Sequence, residues 1–133
     1  MSRFPSHKHL ASWAGLCPGN NESEGKRSSS RTRKGDPWLR EALVEAARAA
    51  ARTKGTYLCA QYHRIAARRG SKRTAVAVAH TILIIAYHIL KHGTAYRELG
   101  PNYFDEIGKT AVVRRSVKRL ENLGYQVTLE QVA

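Results

Sequence analysis

Apolar residues return along most of the chain at helical spacing. In WLREALVEAARAAARTKG, Trp38 to Gly55, residues Leu39, Leu43, Ala46, Ala47 and Ala50 fall on one stripe, the i, i+4, i+7 rhythm of a helix with one buried face. Asp36-Pro37 reads as its start, with aspartate at the N-cap and proline at the first helical position, where its missing N–H costs nothing. Gly55 ends it, and Thr56 caps a second helix in which Leu58, Tyr62, Ile65 and Ala66 align. Ser71 is expected to cap a third, KRTAVAVAHTILIIAYHILKHG, closed by Gly93. Its apolar residues wrap nearly the whole circumference, so the other helices are expected to pack around it.

Weaker elements lie on either side. Ser6 reads as the cap of a short helix that stops at Gly15, with Leu10, Trp13 and Ala14 on its apolar face. After Gly93 the chain is turn-rich around Gly100-Pro101 and holds a short helix at most. A last helix runs from about Lys109 to Leu123, with Val113, Val117 and Leu120 inward, and YQVTLE alternates like a terminal strand. The expected fold is mainly α: a single helical domain with a basic Gly/Ser-rich N-terminal loop and at most one short C-terminal strand. Its parts are the loop at 14–36, a three-helix core at 37–92, and a turn, helix and tail at 93–133. The apolar run Ala75–Leu90 is shorter than the roughly 20 residues of a membrane span, and His80, Thr81 and His88 interrupt it. It reads as a buried helix, with no membrane partner.

Charge changes the picture. The 133 residues carry a net charge of +13, and from Ala46 to Tyr96 there is no acid beside Arg48, Arg52, Lys54, Arg64, Arg68, Arg69, Lys72, Arg73 and Lys91. Such an excess predicts a polyanionic partner. Cys17 and Cys59 have no zinc spacing and read as reduced thiols. The N-terminus lacks an apolar leader with a cleavage site, which places the chain in the cytoplasm.

Candidate chemistry is sparse. The carboxylates do not cluster as a two-metal site would require. His88 and His92 share a helical face, but no third ligand has matching spacing, and packed or helix-end histidines are the simpler reading. The polar stretch from Gly15 to Trp38 differs, because Lys26, Arg27, Arg31, Arg33 and Lys34 would gather phosphate beside the hydroxyls of Ser23, Ser28, Ser29 and Ser30. Serine needs a proton acceptor to be a nucleophile, and none of obvious type is adjacent. On composition the four serines are equal candidates, and a basic arm touching a nucleic-acid backbone is the plainer reading.

A set of residues then resembles a known family. Phe4, Ser6, Leu10, Ala11, Ala14, Gly15, Leu16 and Pro18 form one block; Ser23, Gly25 and Lys26 follow in a loop; Gly35, Asp36, Leu39, Arg40 and Leu43 form the next. Together they resemble the C-terminal serine domain of the bacterial insertion-sequence one-ten, one-sixteen and nine-oh-two transposases, and the later VAVAHTILIIAYHILKHGTAYRELGPNYF and LENLGYQVTLE resemble that domain's tail. The resemblance implies that Ser23 attacks a DNA phosphodiester to give a phosphoserine intermediate, with Lys26 and Arg27 stabilising charge on the phosphate. Arg40 is expected on phosphate or on Glu41 or Glu45. Arg31, Arg33, Lys34, Arg64, Arg68, Arg69, Lys72 and Arg73 complete the expected nucleic-acid-binding set. Glu24 stands where the family usually has a small residue.

The resemblance further implies element-end and target DNA as partners, a guide (bridge) RNA, a homo-oligomer with full-length transposase and a nucleoid-associated location. It implies no cofactor in this chain; Mg²⁺ is expected in an RNase H-like DEDD domain that precedes the serine domain. That domain is absent from this sequence, which reads as a truncated, isolated or split product, incomplete alone. The alternative is a non-catalytic basic helical module binding DNA or structured RNA.

Overall fold

The computed structural model describes residues 2–19, 21–29 and 31–132. Its elements are α1 (His7–Trp13), β1 (Asn21–Ser23), β2 (Lys26–Ser29), α2 (Pro37–Arg52), α3 (Tyr57–Arg69), α4 (Ser71–His92), α5 (Tyr103–Ile107) and α6 (Lys109–Asn122). The fold is mainly α, as expected. Two compact units divide it, Met1–Pro101 and Asn102–Ala133.

In the first unit α1, α2 and α3 all pack on α4. The reason is the stripe Thr74, Ala75, Val78, Ala79, Leu83 and Tyr87, buried along that helix. Opposite it lie Leu10, Ala11, Ala14, Leu16, Leu43 and Ala47. The alanines let backbones approach closely, while large side chains such as Leu43 and Leu83 each gain about 1.5–3 kcal/mol by leaving water. Buried Thr74 is satisfied by donating to the Gly70 carbonyl at 2.6 Å, and buried Tyr87 donates to the Phe4 carbonyl at 3.0 Å, fastening the first residues onto α4. The helix is 22 residues long, exceeding its most apolar run, and by length and composition it could cross a membrane. Its packing against three helices makes it a core helix.

Two caps match the sequence. Asp36 Oδ1 accepts from Leu39 N at 2.8 Å with Pro37 in the first turn, and the Thr56 hydroxyl accepts from Cys59 N at 3.3 Å. Two do not. Ser6 stands at the start of α1, but its hydroxyl meets His9 Nδ1 at 2.8 Å in place of a backbone N–H. Ser71 lies inside α4, whose cap is Gly70 at φ +78 and ψ 166, a backbone region essentially closed to residues with a Cβ. Trp13 is 51% exposed and Ala11 fully buried, so the inner face of α1 runs Leu10, Ala11, Ala14; Trp13 turns outward, its ring 5.7 Å from Phe4. Ala46, at the margin of the α2 stripe, is exposed.

The irregular segment after α4 has one strong anchor. Glu98 Oε1 accepts from Tyr57 N at 2.5 Å and Gly100 N at 3.0 Å, and Glu98 Oε2 accepts from the Tyr96 hydroxyl at 3.2 Å. A carboxylate thus sits on the first N–H of α3, where the helix dipole favours it. These donors, the Tyr57 N–H foremost, hold the Glu98 carboxyl below its ordinary range.

In the second unit, α5 and α6 adjoin through Gly108. Val112 and Val117 are half-buried, whereas Val113 and Leu120, expected inward, are 38% and 43% exposed. The expected strand at YQVTLE is irregular backbone. A lone strand has no ladder to join, and among the described residues the one sheet is the pair β1–β2.

Candidate nucleic-acid interface

The basic stretch between α1 and α2 is a tied hairpin rather than a loop. Strands β1 and β2 are antiparallel, with Ser23 opposite Lys26, Glu22 opposite Arg27, Asn21 opposite Ser29 and an irregularity between Asn21 and Glu22. Glu24 and Gly25 join them with φ of +52 and +75, the double positive φ that a two-residue type I′ turn requires. Pairing continues toward the base, where Gly19 N donates to the Arg31 carbonyl at 2.8 Å and Pro18 bridges Thr32.

The neck is closed by backbone. A Cβ on Gly15, itself at φ +73, would lie 2.7 Å from Gly35 N, and Asp36 N donates to the Trp13 carbonyl at 3.2 Å. Arg40 braces both arms: its Nη1 donates to the Gly15 carbonyl at 3.0 Å and to the Thr32 hydroxyl at 3.2 Å. The sequence had pointed to phosphate or to Glu41 or Glu45 for this side chain; the partners seen within the chain are the two arms of the neck. A guanidinium with several donors in a fixed fork suits the task of joining two strands of a neck.

Ser23 and Lys26 are both exposed at the tip. Directly opposed residues of an antiparallel pair project on one face with Cβ atoms about 4.5–5.5 Å apart, so Ser23 and Lys26 share one face of the tip. Arg27 has its backbone in β2; its side chain, like that of Ser28, lies outside the described residues, as does Ser30. Ser29 accepts from Arg31 N at 3.2 Å. Arg31, Arg33 and Lys34 are exposed on the returning arm.

Arg64, Arg68, Arg69, Lys72 and Arg73 are exposed at the end of α3 and the start of α4. Four of the expected cations, Arg31, Arg69, Lys72 and Arg73, come together around one groove of about 970 Å³ between the hairpin arms and the α3–α4 corner. Ser23, Lys26, Arg33, Lys34, Arg64 and Arg68 are not among its lining residues. Its floor includes Gln61, Ile65, Val76, Ala77, His80 and Thr81; the sequence pointed to Ile65, His80 and Thr81 only as parts of helices, and to none of the six as part of a site. The available signal was spacing: Gln61, Ile65 and Arg69 repeat at i, i+4, i+8, as do Arg73, Ala77 and Thr81. His80 titrates below its ordinary value, through burial first and the charge of His7 second, which favours the uncharged ring.

None of the other histidines, nor either cysteine, is among the residues lining the groove. His88 stacks on His92 at 5.6 Å and tilts against His7 at 5.4 Å. Among the described residues no three His, Cys, Asp or Glu side chains form a metal-binding group. Both cysteines are free, and burial pushes the Cys17 thiol up.

Residues 1–64 match the transposase IS116/IS110/IS902 family. The match supports that family; it takes in α1, the hairpin with Ser23 and Lys26, α2, and α3 as far as Arg64. Arg68, Arg69, Lys72 and Arg73 lie beyond the matched segment. Comparison with curated proteins and with solved structures gave no match.

Proposed function

We propose that this chain is the catalytic-serine, C-terminal portion of an insertion-sequence transposase, acting in DNA transposition and recombination in the cytoplasm. The family match supports a role in transposition and implies contact with DNA. The observation that carries the finer reading is the exposed Ser23–Lys26 pair at the tip of a hairpin braced at its neck.

In the proposed step Ser23 Oγ forms a bond to a DNA phosphorus while its proton passes to an acceptor. One P–O bond to a deoxyribose oxygen breaks, and that oxygen leaves as a hydroxyl after taking up a proton. Attack by a hydroxyl of the exchanging strand reverses the bond changes and frees the serine. Lys26 lies where negative charge grows on the phosphoryl oxygens, and a preorganised cation is most effective there. Arg27, Arg31, Arg33 and Lys34 follow the backbone on either side. The sequence offers no base of obvious type beside Ser23, so this reading takes the proton acceptor from the companion acidic domain, and no step runs through a metal held by this chain. The same reading takes a guide RNA and other copies of the transposase as partners.

The test is covalent trapping. Element-end DNA, nicked and intact, is mixed with the chain and a separately supplied acidic domain, and denaturant-resistant adducts are resolved. An adduct mapping to Ser23 and lost in Ser23→Ala is expected; an adduct that persists in that variant overturns the assignment. The exposed cations at the α3–α4 corner favour a second reading, a non-catalytic module for DNA or structured RNA. Its signature is binding that weakens steeply with salt and yields no adduct.

A further inference from the structure

The groove beside the α3–α4 corner combines features that a duplex backbone alone does not need. Its rim carries Arg31, Arg69, Lys72 and Arg73, and among the described residues its lining includes no Asp or Glu. Phosphate binding alone needs only a cationic surface; this one is an open groove of about 970 Å³ over Leu16, Ile65, Val76 and Ala77, with the mixed apolar character of small-molecule sites.

Within that apolar floor stand a few convergent polar groups. Gln61 Nε2 donates to the Thr81 hydroxyl at 2.9 Å, and that hydroxyl donates to the Ala77 carbonyl at 3.3 Å. Gln61 Oε1 is buried and, among the described residues, has no hydrogen-bond partner. A buried acceptor without a donor is costly, and an amino or imino N–H from a ligand would relieve it. His80 adds a neutral aromatic face. An anionic rim partner attached to a flat, apolar-faced group that bears N–H donors describes a nucleotide.

We propose that this groove receives an unpaired nucleotide of a DNA strand, its base against Ile65, Val76, Ala77 and His80 within reach of Gln61, its flanking phosphates on Arg31, Arg69, Lys72 and Arg73. The choice of DNA rests on the functional reading above; the groove itself does not include Ser23. Stacking on side chains gives affinity to unpaired bases irrespective of sequence, and a cationic rim follows the backbone that links them.

Binding of the full chain to labelled DNA by fluorescence anisotropy tests this without any variant. A duplex with a short unpaired overhang is expected to bind about tenfold tighter than the same duplex with blunt ends, the scale of one or two stacked bases. Ala77→Trp, which fills the floor, is expected to abolish that preference while helical circular dichroism stays unchanged. Arg69→Ala with Arg73→Ala, which leaves the floor intact, is expected to weaken both duplexes and lower the salt dependence. Ser23→Ala is expected to keep the overhang preference, so the outcome is separate from the trapping experiment. Equal binding of blunt and overhanging DNA overturns the proposal. So does a preference unchanged in folded Ala77→Trp, or tighter binding of a ribonucleotide overhang than of the deoxyribonucleotide one.

Discussion

Gly15 and Gly35 meet backbone to backbone at the neck of the hairpin, so closely that a Cβ on either would overlap the other's main chain. No flexible side chain is there to yield. Gly35→Ala is therefore expected to cost at least about 2 kcal/mol, as overpacking against fixed atoms does, and to lower the thermal midpoint by about 10 °C in a domain of this size. Gly15→Ala adds a strained positive φ to the same clash. Differential scanning calorimetry of the two variants checks both.

Arg40 is predicted to act on structure before it acts on DNA. Arg40→Ala removes two hydrogen bonds made by a charged donor and leaves the Gly15 carbonyl and the Thr32 hydroxyl without that partner, a loss of about 1.5–3 kcal/mol. Limited proteolysis is expected to cut within residues 16–34 faster in this variant. DNA affinity that falls with no change in cleavage rate or melting would assign Arg40 to phosphate instead.

Glu24 occupies a left-handed position that favours Asn or Gly. Glu24→Asn is expected to stabilise the hairpin by about 0.5–1 kcal/mol, the scale of the penalty for an ordinary side chain there. Slower amide exchange across the β1–β2 pairs is the readout. If Ser23 and Lys26 work as a pair, a firmer tip should preserve or raise adduct yield.

Acid should weaken the fold in two windows. The His80 pKa is lowered on folding, so its contribution is complete above the unfolded value of about 6.5 and is lost as pH falls through the lower folded value. Burial first and the charge of His7 second oppose its protonation. The Glu98 carboxyl is also lowered; its contribution is complete above about 4.3 and is lost on further acidification. Melting curves between pH 7.5 and 3 are expected to fall in both ranges. His80→Gln should flatten the upper range and Glu98→Gln the lower.

The helices were legible because their signals are local. Asp36-Pro37, Thr56 and the stripe through Leu43 and Ala47 act within a turn or two of chain, and the wrap of apolar residues in α4 marked the central element. The hairpin was not legible, since its type I′ turn uses Glu24 where sequence rules ask for Asn, Asp or Gly, and since Arg40 reaches across 25 residues to Gly15. Trp13 was misplaced because bulk and apolarity do not fix which side of a seven-residue helix faces inward. The strand expected at Tyr125 to Glu130 failed for a further reason: alternation is a local pattern, whereas a sheet needs a second chain segment. Of the site, Ser23 and Lys26 came from motif resemblance and their opposition from the fold. The groove around Gln61 emerged only when α3, α4 and the hairpin arms were brought together.

A single residue, Gly70, separates α3 from α4, and its backbone angles are ones that other residues scarcely reach. The elbow has no slack. Arg69 on one side and Lys72 and Arg73 on the other are consequently set at a pitch that neither loop motion nor side-chain growth at the joint can retune. Gly70→Ala, by forcing a Cβ into that joint, is expected to shift the backbone positions from which these three cations project.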